Sequence, residues 1–290
     1  MASPTVLAVD IGGTKIAAGL VDEEGRLEWR DRVATPPGGS GEQVWDALVG
    51  LLDRVPPGAE ACGVGCGGPM LGGGERVSPL NIAGWRDFPL RQRLADHTGL
   101  PTGVDNDAKA LALAEGWRGV AVGCRAFLSM VVSTGVGGGI ILDGRLLDGN
   151  TGNAGHIGHV VVEPDGRRCT CGGVGCLEAE ASGTSIAAIT GAPAAAAAAV
   201  VRRRTGTLVG RAVASVANLL DLRLVTVAGS VALGYGEPFF SAAQEEIGRR
   251  ARLRFSADCR IVPSGLGADG PLVGAAAVAW RGTGRLGLLA

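Results

Sequence analysis

The chain has 290 residues, 46% of them hydrophobic and 19% charged, which is enough apolar material for a packed core and excludes a disordered polymer. A formal charge of -1 and a pI near 6.3 offer no basic field for nucleic acid or an anionic membrane. The opening MASPTVLAVDIGG has no basic region before an apolar core, no apolar run would span a bilayer, and seven cysteines suit a reducing, cytoplasmic setting.

Taken in order, residues 5–9 form an apolar run that ends at Asp10 and leads into Ile11-Gly12-Gly13-Thr14-Lys15. Residues 16–21 read as a second strand, Asp22-Glu23-Glu24-Gly25 as a hairpin turn, and 26–33 as the returning strand. The glycines let the backbone pass close to a ligand, and the Thr14 hydroxyl with neighbouring backbone N–H groups suits phosphate oxygens. An ordinary tight hairpin would use the same residues. Residues 41–52 then predict a helix with Val44, Trp45, Leu48, Leu51 and Leu52 on one face. Gly63-Val64-Gly65-Cys66-Gly67-Gly68 has the spacing of a dinucleotide fingerprint, but that motif must open a helix. Pro69 and Gly72-Gly73-Gly74 follow instead, so a loop at a cleft edge is expected.

Residues 90–97 predict another helix and 101–104 a short strand, with Asp105-Asn106-Asp107 at its end. Residues 108–115 have strong helix propensity, so Asp107 reads as a helix N-cap, as a general base at the mouth of a cleft, or as both. Residues 127–133, the glycine turn Thr134-Gly135-Val136-Gly137-Gly138-Gly139, and residues 140–142 repeat the opening plan. Two such units half a chain apart predict internal duplication, with paired loops clamping nucleotide phosphates between two lobes. Neither loop has the Walker pattern.

Residues 152–178 concentrate His159, Cys169, Cys171 and Cys176 in a glycine-dense loop. Three thiolates and an imidazole are a ligand set for Zn²⁺, and four protein ligands close a structural site. Buried or disulfide-forming cysteines with a neighbouring histidine are the alternative. Alanine, glycine and arginine abound while lysine is scarce, which reads as compositional bias.

These motifs together resemble the ROK family of sugar kinases. The resemblance rests on Asp10-Ile11-Gly12-Gly13-Thr14-Lys15, Asn106-Asp107-Ala108, the residues 134–139 turn, Gly158-His159, and Cys169-x-Cys171-Gly172-x-x-Gly175-Cys176-Leu177-Glu178. Ala228-Gly229-Ser230 and Gly274-Ala275-Ala276 follow in family order. The resemblance implies a two-lobed actin-like (ribonuclease H-like) α/β fold with a structural zinc loop. Its small lobe would span 1–108, with a C-terminal helix over about 271–290 packing back on it, and its large lobe 109–270.

It also implies ATP-dependent transfer to the 6-hydroxyl of a hexose, with Asp107 as general base. Gly12, Gly13, Thr14 and Lys15 would face the nucleotide from one lobe, and Thr134, Gly135, Gly137 and Gly229 from the other, with Mg²⁺ near Asp10. Asn81, Asn106, Asp107, His156, His159 and Glu178 would line the sugar site, and Zn²⁺ would hold His159 and the three cysteines. The expected partners are a small sugar and a second copy of the chain, with neither nucleic acid nor membrane. Most glucose-handling members carry Glu-x-Gly-His where this chain has His156-Ile157-Gly158-His159. An amino- or N-acyl-hexose is therefore expected, with N-acetylmannosamine, glucosamine, kanosamine and glucose as candidates. Residues 193–204 depart from the family's longer helical region, and Ala228 stands where the adenosine turn usually has glycine. A repressor of the family would need a DNA-binding segment ahead of the strand at Thr5, and a catalytically dead sugar sensor is the remaining non-enzyme reading.

Overall fold

The computed structural model describes residues 3–288, so the last two residues of the helix expected over 271–290 lie outside the described residues. The chain opens with the strands β1 (Thr5–Ile11), β2 (Lys15–Asp22) and β3 (Leu27–Ala34). Helix α1 (Gly41–Leu52), strand β4 (Ala59–Cys66) and the small hairpin β5 (Met70–Leu71) and β6 (Arg76–Val77) follow. Helix α2 (Leu90–Thr98), strand β7 (Thr102–Asn106) and helix α3 (Asp107–Arg118) complete the first run. Next come β8 (Phe127–Val132), β9 (Val136–Leu142) and β10 (Arg145–Leu146), then helices α4 (Leu177–Ala181), α5 (Gly183–Thr190) and α6 (Ala199–Leu220). Strand β11 (Leu224–Ala228), helices α7 (Ser230–Tyr235) and α8 (Glu237–Arg250), strand β12 (Arg260–Pro263) and helix α9 (Gly270–Gly282) end the described chain.

Two compact units result. The first comprises residues 1–122, 147–154 and 266–290, and the second 123–146 and 155–265. Each holds one five-stranded sheet, in the orders β3-β2-β1-β4-β7 and β10-β9-β8-β11-β12. In both, two antiparallel hairpin partners lie on one side of the first strand and two parallel strands on the other. The repeat expected from the two strand–glycine–strand segments is thus present as two sheets of one plan. Among the described residues no helix is long and apolar enough to cross a membrane.

Local chemistry sets the boundaries. Ser40 and Gln43 form a capping box at the start of α1, and Val44, Trp45, Leu48, Leu51 and Leu52 are its buried face, as the periodicity predicts. The turn before β3 is closed by the Asp22 carboxylate, which accepts hydrogen bonds from the Glu24 and Arg26 N–H groups.

Two expectations are corrected. The glycines at 63 and 65 are not in a loop: they lie inside the buried strand β4. The reason is close packing, since a Cβ on Gly63 would come within 2.0 Å of the Ala275 carbonyl oxygen of α9. The second glycine turn is also shorter than read. Residues Val136, Gly137, Gly138 and Gly139 belong to β9 and pair with β8, leaving the turn to residues 133–135. A Cβ on Gly138 would press to 2.9 Å against Ile157, so packing again explains the glycine.

Candidate active site

In the first unit the register of the parallel strands does the positioning. Asp10 of β1 pairs with Gly65 of β4, and Gly65 with Asp105 of β7, so the carboxyl ends of all three strands finish level. Ligand sites in open α/β sheets form at such strand ends. A Cβ on Gly65 would lie 3.6 Å from Asp107 Cα and 4.0 Å from the Asp10 carboxylate, so both aspartates border this position of β4. Beyond β1 the chain turns through Gly12, whose N–H donates to the Lys15 carbonyl at 3.0 Å. Thr35 ties the same turn, its hydroxyl donating to the Gly12 carbonyl at 2.6 Å and its N–H to the Thr14 carbonyl at 3.1 Å. Asn81 packs on Gly13 so closely that a Cβ there would meet the Asn81 carbonyl oxygen at 2.8 Å. Four expected groups, Asp10, the Gly12–Gly13 turn, Asn81 and Asp107, thus belong to one edge of one sheet.

The helix cap is assigned to a different residue from the one expected. Asn106 (φ -62, ψ 139) is the N-cap of α3, its side chain accepting from the Ala108 and Lys109 N–H groups. Asp107 is the first helical residue and accepts from the Ala108 N–H at 2.8 Å. An asparagine before an aspartate provides two cap-competent residues in series, and sequence alone does not order them.

Burial pushes the Asp10 carboxyl up from 3.8 to about 7, the Asp107 charge adds to the rise, and Lys15 opposes it. The folded state therefore keeps a proton that the unfolded chain releases between about pH 4 and 7, so stability falls as pH rises through that window. Asp10→Asn is expected to be more stable than the parent at pH 8 by on the order of 2–4 kcal/mol, with the gain shrinking towards pH 4. Urea unfolding at the two pH values measures it, and a pH-independent difference would show that the carboxyl is not strained. A nearby cation would restore the charged form, which is the chemical fit of this residue to Mg²⁺.

The second unit presents its own turn. The Ser133 N–H donates to the Gly135 carbonyl at 2.9 Å, and the Gly183 and Thr184 N–H groups hold the Ser133 and Thr134 carbonyls. Gly229 follows β11 at φ 101, where a Cβ would collide with the Val132 carbonyl at 2.3 Å, so only glycine fits. Glu178, expected at the sugar, has a partner the sequence did not suggest. Its carboxylate accepts from the Val136 N–H at 2.9 Å and sits 3.0 Å from where a Gly135 Cβ would be.

The ligating atoms of His159, Cys169, Cys171 and Cys176 lie within 4.8 Å of one another. Cys171 and Cys176 Sγ are 3.7 Å apart, and Cys169 Sγ is 3.8 Å from His159 Nδ1. A disulfide needs about 2.05 Å, whereas the edge of a tetrahedron with metal–sulfur distances of about 2.3 Å is about 3.8 Å. All seven cysteines are free thiols, which removes the disulfide reading. Burial, then the neighbouring sulfurs, pushes the Cys176 thiol up to about 12, a penalty that a divalent cation relieves. Gly175 (φ 72) allows the loop to close, since a Cβ would overlap the Glu163 carbonyl. Behind the loop Glu180 is buried, and although burial opposes it, the Arg167 N–H and the Arg204 and Arg167 guanidinium groups hold its carboxyl below the usual range. Beside this cluster, the His156 ring stacks on His159 with centroids 6.0 Å apart.

A family model described as the ROK family matches residues 6–281. The chain belongs to the ROK family. An N-acetylmannosamine kinase from Citrobacter koseri is 40% identical over 248 residues, covering 80% of this chain and 85% of that protein. A ROK hexokinase from Thermus thermophilus superimposes with a TM-score of 0.84 at 34% identity, covering 97% of this chain and 99% of the other. A ROK family glucokinase from Streptomyces griseus, solved with glucose and AMPPNP, gives 0.82 at 32% identity over 96% and 99%. The actin-like sugar-kinase fold expected from the motifs is therefore the fold of this ROK protein.

Proposed function

We propose that the chain transfers the γ-phosphoryl group of ATP to the 6-hydroxyl of an amino- or N-acyl-hexose. The observation that carries this reading is the pairing of Asp10 and Asp107 across Gly65, beside a glycine turn at the carboxyl edge of one sheet. Asp107 would accept the proton of the attacking hydroxyl, work typically worth ~10²–10⁴-fold. Gly12, Gly13, Thr14 and Lys15 in one unit, and Thr134, Gly135, Gly137 and Gly229 in the other, would bind the nucleotide. Mg²⁺ near Asp10 would neutralise the polyphosphate, as phosphoryl transfer requires. Asn81 and Asn106 with Asp107, and His156, His159 and Glu178, would hold the sugar. Zn²⁺ on His159, Cys169, Cys171 and Cys176 would keep that second group in place.

The amino- or N-acyl-hexose preference rests on His156. An imidazole can donate or accept through either nitrogen, whereas a carboxylate at the same position only accepts. N-acetylmannosamine is the first candidate, since relatives bearing that name are 40% identical. ADP release measured over a panel of hexoses tests both levels. Turnover is expected, with kcat/KM for an N-acyl or amino sugar above that for glucose. Glucose as the best substrate would make the histidine a plain replacement, and no turnover with any hexose would leave a sugar-binding protein.

A further inference from the structure

The chain contains only two lysines, Lys15 and Lys109, against 25 arginines (27 basic residues less two). In so arginine-rich a sequence each lysine marks a place where a compact ammonium fits and a planar fork does not. Lys15 lies close enough to Asp10 to lower its pKa. Lys109 has no part in the reaction described above, yet it is one of the few fully buried charges, 2% exposed.

Its surroundings are specific. Lys109 Nζ lies 3.1 Å from Asp105 Oδ1, 2.9 Å from Asp148 Oδ1 and 2.8 Å from the Gly152 carbonyl oxygen. Three acceptors for three ammonium protons is a complete tripod, which a guanidinium cannot copy from the same Cα. Arg281 of α9 closes the cluster, donating to Asp148 Oδ2 at 2.6 Å and lying 3.5 Å from Asp105 Oδ2. Two cations and two carboxylates balance, so the cluster serves geometry and not the binding of an external ion.

The acceptors come from two places. Asp105 ends β7, two residues before Asp107, and Lys109 stands two residues after it. Asp148 and Gly152 belong to residues 147–154, a segment of the first unit inserted between two pieces of the second. Asn153 fastens the same segment, its side-chain amide accepting from the Met70 N–H at 3.2 Å and donating to the Met70 carbonyl at 2.9 Å. Two residues beyond this segment comes His156, and three further on the metal ligand His159.

We infer that Lys109 is a positioning residue for sugar recognition: its tripod fixes residues 147–154 to the Asp107 helix and so sets the stem that carries His156. The inference rests on the kinase reading for its kinetic consequence but not for its structural one. A misplacement near 1 Å in a bound substrate can cost ~10²-fold.

The test uses Lys109→Met, which keeps the aliphatic stem, and Lys109→Arg, which keeps the charge but loses the tripod. In both, the sugar KM is expected to rise at least ~10-fold with the ATP KM within about twofold and zinc content unchanged. Amide exchange over residues 147–159 should quicken. Rescue by arginine would overturn the tripod and leave a simple charge requirement, and equal rises in both KM values would reduce Lys109 to a fold-stabilising ion pair. Asp148→Asn, which keeps one acceptor oxygen for Lys109 but removes the negative charge and the second oxygen that Arg281 uses, should show the same pattern at smaller size, and it serves if the lysine variants do not fold. Should the parent phosphorylate no hexose, the kinase reading fails while the exchange measurement still decides the inference. Unchanged exchange would end it.

Discussion

Asp107→Asn is expected to lower phosphorylation by ~10²-fold or more while leaving the melting temperature nearly unchanged. The structure makes this variant cleaner than the sequence suggested, because Asn106 and not Asp107 caps α3. Asparagine at the first helical position gives up a favourable charge at the helix N-terminus, worth about 0.3–1 kcal/mol. It also removes the charge that raises the Asp10 pKa, and the two effects oppose each other. Loss of turnover with intact stability would identify Asp107 as the base. Turnover within a few-fold of the parent would move the proton acceptor elsewhere and leave Asp107 as a first-turn acid.

The second large effect is expected from the metal loop. One zinc ion per chain should be found by elemental analysis, and Cys171→Ala should open the site and weaken it, since ligation requires the thiolate. Sugar affinity should fall most, because His159 is both a ligand and the neighbour of His156. The effect on ATP should be smaller but real. Glu178 follows Cys176 by two residues and holds the Val136 N–H, so a loosened loop reaches the second glycine turn. That turn keeps independent support from the Gly183 and Thr184 N–H groups, which limits the damage. Equal losses for both substrates would mean that the metal holds the whole second unit. Protein without zinc would remove the premise.

Much of this arrangement was legible before any coordinates. Helix α1 and its buried face follow from apolar spacing, and the duplicated sheets follow from two strand–glycine–strand segments. The cluster of His159, Cys169, Cys171 and Cys176, which could hold a metal ion, was visible because three cysteines and a histidine crowd one loop. What sequence could not supply was why particular glycines are glycine. Gly63 looks like a loop residue until α9 is seen against it, and that contact comes from chain far away in sequence. Glu178 is expected at the sugar from its motif, but its bond to the Val136 N–H depends on tertiary approach. Nothing in the local sequence singles out Lys109 beyond the scarcity of lysine. In a biased composition the rare residue types carry the signal, and lysine is the rare one here.

The contact between Gly63 of β4 and Ala275 of α9 bears on how the protein is made. The first unit is not contiguous: its sheet emerges early from the ribosome, while residues 266–288, which cover β4, emerge only after the whole of 155–265. At about 5–20 residues per second the intervening chain takes roughly 6–22 s to synthesise, and domains generally fold as units in the order they appear. Here the order is inverted. The second unit can close while the first still exposes the strand that α9 will cover, so the nascent sheet is the stage most dependent on chaperones.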